Sequence, residues 1–133
     1  MKKLLALAFL LAGSGVQAQP VDVGTGDWGS LREARQTGQS HVGSAVADAV
    51  RALGRKGTCQ VPGLGARRVN ISVPLTLQFG GAKQVERIVV RDLGCPELET
   101  LVGRVVQRLA AQGEFVATDG PGWYRSVFDL TIE

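Results

Sequence analysis

The chain has 133 residues, of which 44% are hydrophobic, and a formal net charge of +3. Removing Lys2 and Lys3, which belong to a leader described below, takes the 15 basic side chains to 13 against 12 acidic ones, a formal charge of +1. The arginines are scattered among carboxylates along the sequence, whereas nucleic-acid binding needs a concentrated basic surface, so composition argues against a nucleic-acid partner.

The first residues predict a signal peptide at residues 1–18. Lys2 and Lys3 form a positive start, Leu4 to Leu11 form an apolar run, and Val16-Gln17-Ala18 is a small-x-small cleavage site, with cleavage expected after Ala18. The apolar run is shorter than the roughly 20 residues that span a bilayer, although an uncleaved anchor remains the alternative. Ser14 stands where a lipoprotein would carry its lipid-bearing cysteine. We therefore expect a soluble periplasmic protein of about 115 residues, which suits one domain.

The segment that follows, residues 19–39, is rich in Gly, Asp, Gln and Thr and has no hydrophobic periodicity. We predict a flexible N-terminal arm here, followed by a domain over residues 40–133. Trp28 and Leu31 are the large apolar side chains that would attach the arm to that domain.

A helix is predicted to begin after Ser40 as N-cap and to end at Gly54. Its apolar residues recur at three- and four-residue spacing and form one stripe. They are Val42, Ala45, Val46, Ala49, Val50 and Leu53. His41 lies in the first turn, where an exposed polar residue is the simpler interpretation.

Two strands are then predicted, joined by a turn at Gly80-Gly81. From Val69 to Phe79 apolar and polar residues alternate strictly, which is typical of a strand with one buried face. The returning strand covers Val85 to Arg91, with Ile88 and Val90 expected to point inward.

A second helix begins at Pro96, and its apolar face ends before Gly113. Its apolar residues are Leu98, Leu101, Val102, Val105, Val106 and Leu109. After a turn at residues 119–122, Trp123 to Ile132 alternates again and predicts the last strand.

The predicted fold is therefore α+β, in the order α-β-β-α-β, with a three-stranded antiparallel sheet and both helices on one face. The sheet is antiparallel throughout only if the strand at Val69–Phe79 lies in the middle. Pro74 conflicts with a central position because proline lacks a ladder donor. Either pairing begins after Pro74, or a bulge lies there.

Cys59 and Cys95 are the two cysteines, and in an oxidising compartment we expect them to form a disulfide. A zinc site would need more ligands than these and His41 provide, and a redox pair favours Cys-x-x-Cys spacing. We expect no metal and no cofactor.

The layout resembles the C-terminal domain of the TonB/TolA family of envelope energy transducers. The match is carried by Val73-Pro74-Leu75-Thr76-Leu77-Gln78-Phe79, by Cys95-Pro96-Glu97-Leu98 opening a helix, and by the closing strand Trp123 to Ile132. The early helix, and a cysteine before the hairpin paired with one where the last helix begins, resemble TolA in particular. Unlike family transducers, the chain is expected to have a cleavable leader and only a short arm in place of an anchor and a long bridge.

The resemblance implies a recognition mode in which a free edge strand receives an extended peptide by β-augmentation. The partner would be an envelope or outer-membrane protein, and the edge could equally pair with a second copy to give a homodimer. In the predicted topology that edge is Trp123–Ile132. Trp123, Arg125, Val127 and Asp129 would supply side-chain selectivity, unless Trp123 and Arg125 merely cover the back of the sheet.

Three functions compete on these features. A periplasmic partner-binding module for envelope transport or a secretion assembly is the first, and a secreted inhibitor or immunity-type protein on the same scaffold is the alternative. Catalysis is not expected, because His41 lies where no nucleophile can be paired with it. Glu97 and Glu99 lie at a helix start, where their negative charges interact favourably with the positive end of the helix dipole.

Overall fold

The structure, a computed structural model, describes residues 20–37 and 42–133. The predicted signal peptide at residues 1–18 lies outside the described residues, as do Ser40 and His41. The helix start predicted after Ser40 was wrong, because Gly43 has extended backbone dihedrals as N-cap and the helix begins at Ser44. The elements, in chain order, are β1 (Val21–Gly24), β2 (Arg32–Glu33), β3 (Arg35–Gln36), α1 (Ser44–Lys56), β4 (Val69–Phe79), β5 (Val85–Arg91), α2 (Pro96–Ala111), β6 (Phe115–Val116) and β7 (Gly122–Ile132).

The hairpin β4–β5 has the predicted bounds, and the hydrophobic alternation is unbroken in β4. The odd-numbered residues of β4 are buried, and Ile88 and Val90 of β5 are fully buried, as predicted. The two strands pair antiparallel from Leu75↔Val90, with a register shift between Gln78 and Phe79.

Strand β4 lies in the middle of the sheet, as the antiparallel arrangement required. It pairs antiparallel with β7 over its whole length, from Val69↔Ile132 to Phe79↔Gly122. Pro74 lies opposite Val127 in unbroken register, and the pairing of β4 with β5 starts one residue later. The proline therefore lies where the ladder with β5 has ended, and no bulge is needed to accommodate it.

The prediction of three strands was wrong, since the main sheet has five, in the order β1-β5-β4-β7-β2. Strand β1 runs parallel to β5 and β2 runs parallel to β7, so the sheet is mixed. A separate two-stranded sheet joins β3 to β6. Over residues 20–37 the predicted flexible arm instead contains three short strands. Strands β1 and β2 form the two edges of the main sheet, and β3 belongs to the two-stranded sheet. Backbone hydrogen bonds to the partner strands hold these short strands in place. Such bonds do not require alternating hydrophobic side chains, so the sequence shows no period here.

The two helices and the sheet share a single core. Helix α2 packs on β5 and β1, and α1 packs beside α2. Helix α1 passes the predicted stop at Gly54 and ends at Gly57, whose φ is 68°. Gly54 is needed for close packing instead, because a Cβ there would lie 2.6 Å from the carbonyl oxygen of Leu64. Among the described residues, neither helix has the length and apolar character that a membrane crossing requires.

The predicted disulfide is present and links the loop after α1 to the start of α2. The Cα atoms of Cys59 and Cys95 are 5.3 Å apart, and both residues are buried. Glu99, also buried, accepts hydrogen bonds from the backbone N–H groups of Leu93 at 2.5 Å and Cys95 at 3.4 Å. This carboxylate thus satisfies donors at the helix start and has a structural role.

Candidate partner-binding site

The outer edge of β7 is only partly covered. Strand β2 pairs with it at Arg32↔Tyr124 and Glu33↔Arg125, and the N–H of Ala34 donates to the carbonyl oxygen of Arg125 at 2.8 Å. The chain then turns away to form β3. From Val127 to Ile132, no strand of the described residues pairs with this side of β7. We call this stretch the open edge.

The backbone groups of the open edge point away from the sheet at every second residue. Along a strand, the N–H and C=O groups of successive residues point to alternate sides. Because Arg125 points its carbonyl oxygen toward β2, the odd-numbered residues face outward and the even-numbered ones face β4. Val127, Asp129 and Thr131 therefore present their donors and acceptors at the edge, as an incoming strand requires.

The four predicted selectivity residues lie in a row on the face of β7 away from the helices, but their surroundings differ. Trp123 is half-buried, and Arg125 donates from Nε to the carbonyl oxygen of Leu31 at 3.0 Å. Arg125 belongs to the stretch that β2 covers, and Trp123 precedes that stretch by one residue. Val127 is 46% exposed, and Asp129 is exposed and accepts a hydrogen bond of 2.6 Å from the hydroxyl of Ser72. Only Val127 and Asp129 therefore lie on the open edge itself.

Residues 25–31 cross the outer face of the sheet between β1 at one edge and β2 at the other. We call this segment the strap. Arg91 donates to the carbonyl oxygen of Gly26 at 2.6 Å, and its guanidinium lies 3.9 Å from the ring centroid of Trp28. The Trp28 side chain therefore attaches this segment to the domain, as predicted, whereas Leu31 contributes its backbone carbonyl oxygen, which accepts from Arg125. Thr76, on the outer face of the central strand, is only 3% exposed.

Arg32 fastens the end of the strap to the turn before β7. Its guanidinium donates to the carbonyl oxygens of Asp119 and Pro121, lies 3.3 Å from the Asp119 carboxylate, and stacks 4.3 Å from the ring centroid of Tyr124. The Tyr124 hydroxyl donates to the carbonyl oxygen of Gly120 at 2.7 Å and so holds the same turn. The covered half of β7 is therefore held by several groups, whereas the open edge begins directly beyond it.

Sequence reasoning missed the anchoring role of Arg32 and Arg91. Arg32 lies in a polar stretch and Arg91 ends a predicted strand after Ile88-Val89-Val90, and nothing in their neighbours along the chain distinguishes them from solvated charges. The adjacent Trp28 is the one signal that could have suggested a contact across the sheet.

The described residues contain no group of three or more His, Cys, Asp and Glu side chains that could hold a metal ion. Cys59 and Cys95 are both engaged in the disulfide. The feature that the described residues present at this site is a strand edge with outward backbone groups.

No protein-family model matches the chain, and no curated protein and no solved structure matches it either. The resemblance to the TonB/TolA family stays an expectation from the sequence.

Proposed function

We propose that the protein is an exported, periplasmic partner-binding module resembling the TonB/TolA C-terminal domain, which serves envelope transport or a secretion assembly. It binds an extended peptide of an envelope protein as an additional strand at the open edge. The observation that carries the proposal is the row of outward backbone groups at Val127, Asp129 and Thr131, beside which the described residues place no strand.

The side chains along this edge fit an added strand. Val127 is one of two large apolar side chains that are exposed among the described residues, and it lies at the centre of the outer row on β7. An apolar residue of an incoming strand would pair with it across the edge, and such cross-strand pairs each stabilise by roughly 0.2–1 kcal/mol. In this proposal the module binds and performs no catalysis.

Proline at Val127 tests the proposal. Proline has no backbone N–H, so the substitution removes one outward donor, and the proline ring obstructs the edge. No bond to β4 is lost, because the N–H of Val127 points away from β4. Val127→Ala is the matched control, since it removes the side chain and keeps the donor. We expect tagged Val127→Pro to be folded by circular dichroism and to lose its partner from envelope extract, whereas Val127→Ala keeps it.

Identification of the captured protein by mass spectrometry separates the candidates. A transporter plug, a porin or a Tol/Ton component supports the proposal, and a single toxin-like partner identifies an inhibitor instead. Equal capture by Val127→Pro and the unmodified protein would exclude the open edge. Sedimentation of the purified protein tests the remaining occupant, a second copy of the chain. A dimer that Val127→Pro dissociates would assign the edge to self-association.

A further inference from the structure

Five cations from two short segments of the sequence lie near one end of the sheet, and three of them line one cavity. Arg51, Arg55 and Lys56 belong to the second half of α1, and Arg67 and Arg68 immediately precede β4. Arg51, Arg55 and Arg67 line one cavity of about 290 Å³. All of the five except Arg51 are exposed. We call these five residues the basic cluster.

The close approach of α1 to the following loop creates this arrangement. Gly54 lets the backbone at Leu64 and Gly65 lie directly against the helix. Arg51 then donates to the carbonyl oxygen of Arg67 at 3.3 Å, which holds the end of the loop beside the helix. The side chains of Arg55 and Arg67 therefore face the same cavity.

The basic cluster lies where the open edge ends. Arg68 precedes Val69, which pairs with Ile132 at the last position of β7. Arg51 donates to the backbone oxygen of Glu133, the residue after that strand, at 2.8 Å. From Val127 to Ile132 the edge measures roughly 17 Å at about 3.3 Å per residue, so a strand of about six residues along it reaches the cluster.

The cluster carries more positive charge than its surroundings neutralise. The ion pairs between described residues are Arg32 with Asp119 and Arg87 with Asp22, and neither involves the cluster. The sequence from Arg51 to Arg68 contains no carboxylate. The acidic residues that adjoin the cluster are Asp48, three residues before Arg51 on α1, and Glu133, whose backbone oxygen accepts from Arg51. These two are fewer than the five cations.

From this placement we infer that the peptide bound at the open edge is acidic at the end that lies beside Ile132. The inference rests on the function proposed above and adds the chemistry of the partner. Carboxylates flanking the added strand would meet the arginines of the cluster, while the strand itself bonds to Val127, Asp129 and Thr131. Complementary charge of this kind selects partners and accelerates their encounter.

A peptide explains the cluster better than an anionic membrane or a nucleic acid. The exposed large apolar residues of the described part are Val23 and Val127, on β1 and β7, so the cluster itself offers none to insert into a bilayer. It also lacks an aromatic side chain on which a base could stack. What adjoins it is a strand edge.

Labelled peptides with one alternating Thr-Val core test the inference by fluorescence anisotropy. One set carries a run of glutamates at either end of the core, and a second set carries lysines in the same places. Of the two glutamate peptides, the one that binds more tightly should bind about tenfold better than the peptide with lysines at the same end. Each exposed ion pair changes affinity roughly two- to fivefold. The preference should fall at high salt, because salt screens exposed charges.

Paired charge reversals locate the effect. Arg67→Glu with Arg68→Glu should abolish the preference for glutamate, whereas Arg104→Glu with Arg108→Glu, an equal change on exposed positions of α2, should leave it intact. Val127→Pro should weaken the binding of both peptide sets.

The outcomes separate this inference from the proposed function. If Val127→Pro weakens binding but the glutamate preference is absent, or survives reversal at Arg67 and Arg68, the inference is wrong and the proposed function stands. If the glutamate peptides need the cluster but are indifferent to Val127→Pro, both are wrong. Failure of every peptide to bind at about 1 mM also contradicts both. If anionic phospholipid vesicles or a single-stranded oligonucleotide displace the peptide, and this displacement requires Arg67 and Arg68, the basic cluster binds a membrane or a nucleic acid and the inference is wrong.

Discussion

Replacing Cys59 and Cys95 by alanine removes the covalent link across a sequence separation of 36 residues. The closed loop contains β4, β5 and the turn between them, which is the centre of the sheet. In the chain-entropy model, a loop of this length stabilises the folded state by about 4 kcal/mol through its effect on the unfolded chain. In a domain of about 115 residues, a loss of this size lowers Tm by roughly 15 °C.

Chemical denaturation of the oxidised protein and of the double-alanine variant measures the difference. Cys59→Ala alone should be as unstable as the double variant, because either change opens the same loop. A loss of less than about 1 kcal/mol in the double variant would refute the reasoning, since the unfolded chain would then gain little freedom. Mass spectrometry of the unreduced protein provides the control, and it should find both thiols blocked as an intramolecular pair.

Three further predictions test other parts of the structure. Gly54→Val should cost about 1–3 kcal/mol in urea unfolding, because its side chain would collide with the Leu64 carbonyl; an unchanged midpoint would show that the contact is loose. Trp28→Ala should destabilise by at least about 0.5–1 kcal/mol through loss of the stack on Arg91, and unaltered stability would mean that the strap is not anchored there. Terminal sequencing of the exported protein should begin at Gln19, whereas a retained Met1 would favour an anchor.

The central elements could be predicted from the sequence because their side chains repeat at the period of the structure. The alternation from Val69 to Phe79 gave the bounds of β4, and the apolar face from Leu98 to Leu109 gave α2. Gly113, with a φ of 75°, follows that helix as predicted. In these segments the buried positions recur at the period of the strand or helix, so the hydrophobic pattern in the sequence matches the fold.

The edges of the sheet could not be predicted in this way. Strand β2 consists of two exposed residues, Arg32 and Glu33. It is a strand only because its backbone pairs with that of β7. Gly54 has the appearance of a helix stop, but the contact that explains it comes from Leu64 in the next loop. Tertiary contacts override local preference at both places.

The candidate site was predicted in part for the same reason. The edge strand followed from the order of elements, so Val127 and Asp129 could be placed on it. The pairing of β2 with the first part of that edge, and the convergence of Arg51 and Arg67 at its far end, depend on how distant segments pack, which periodicity does not encode.

Residue-resolved amide hydrogen exchange tests the open edge most directly. In the purified protein, the amides of Val127, Asp129 and Thr131 should exchange fast, because they face outward. Those of Phe128, Leu130 and Ile132 should be strongly protected by their bonds to β4. Binding of a peptide at the edge should then slow the first set alone. Equal protection of both sets in the unbound protein would mean that the edge is already occupied, and it would contradict the proposed binding mode.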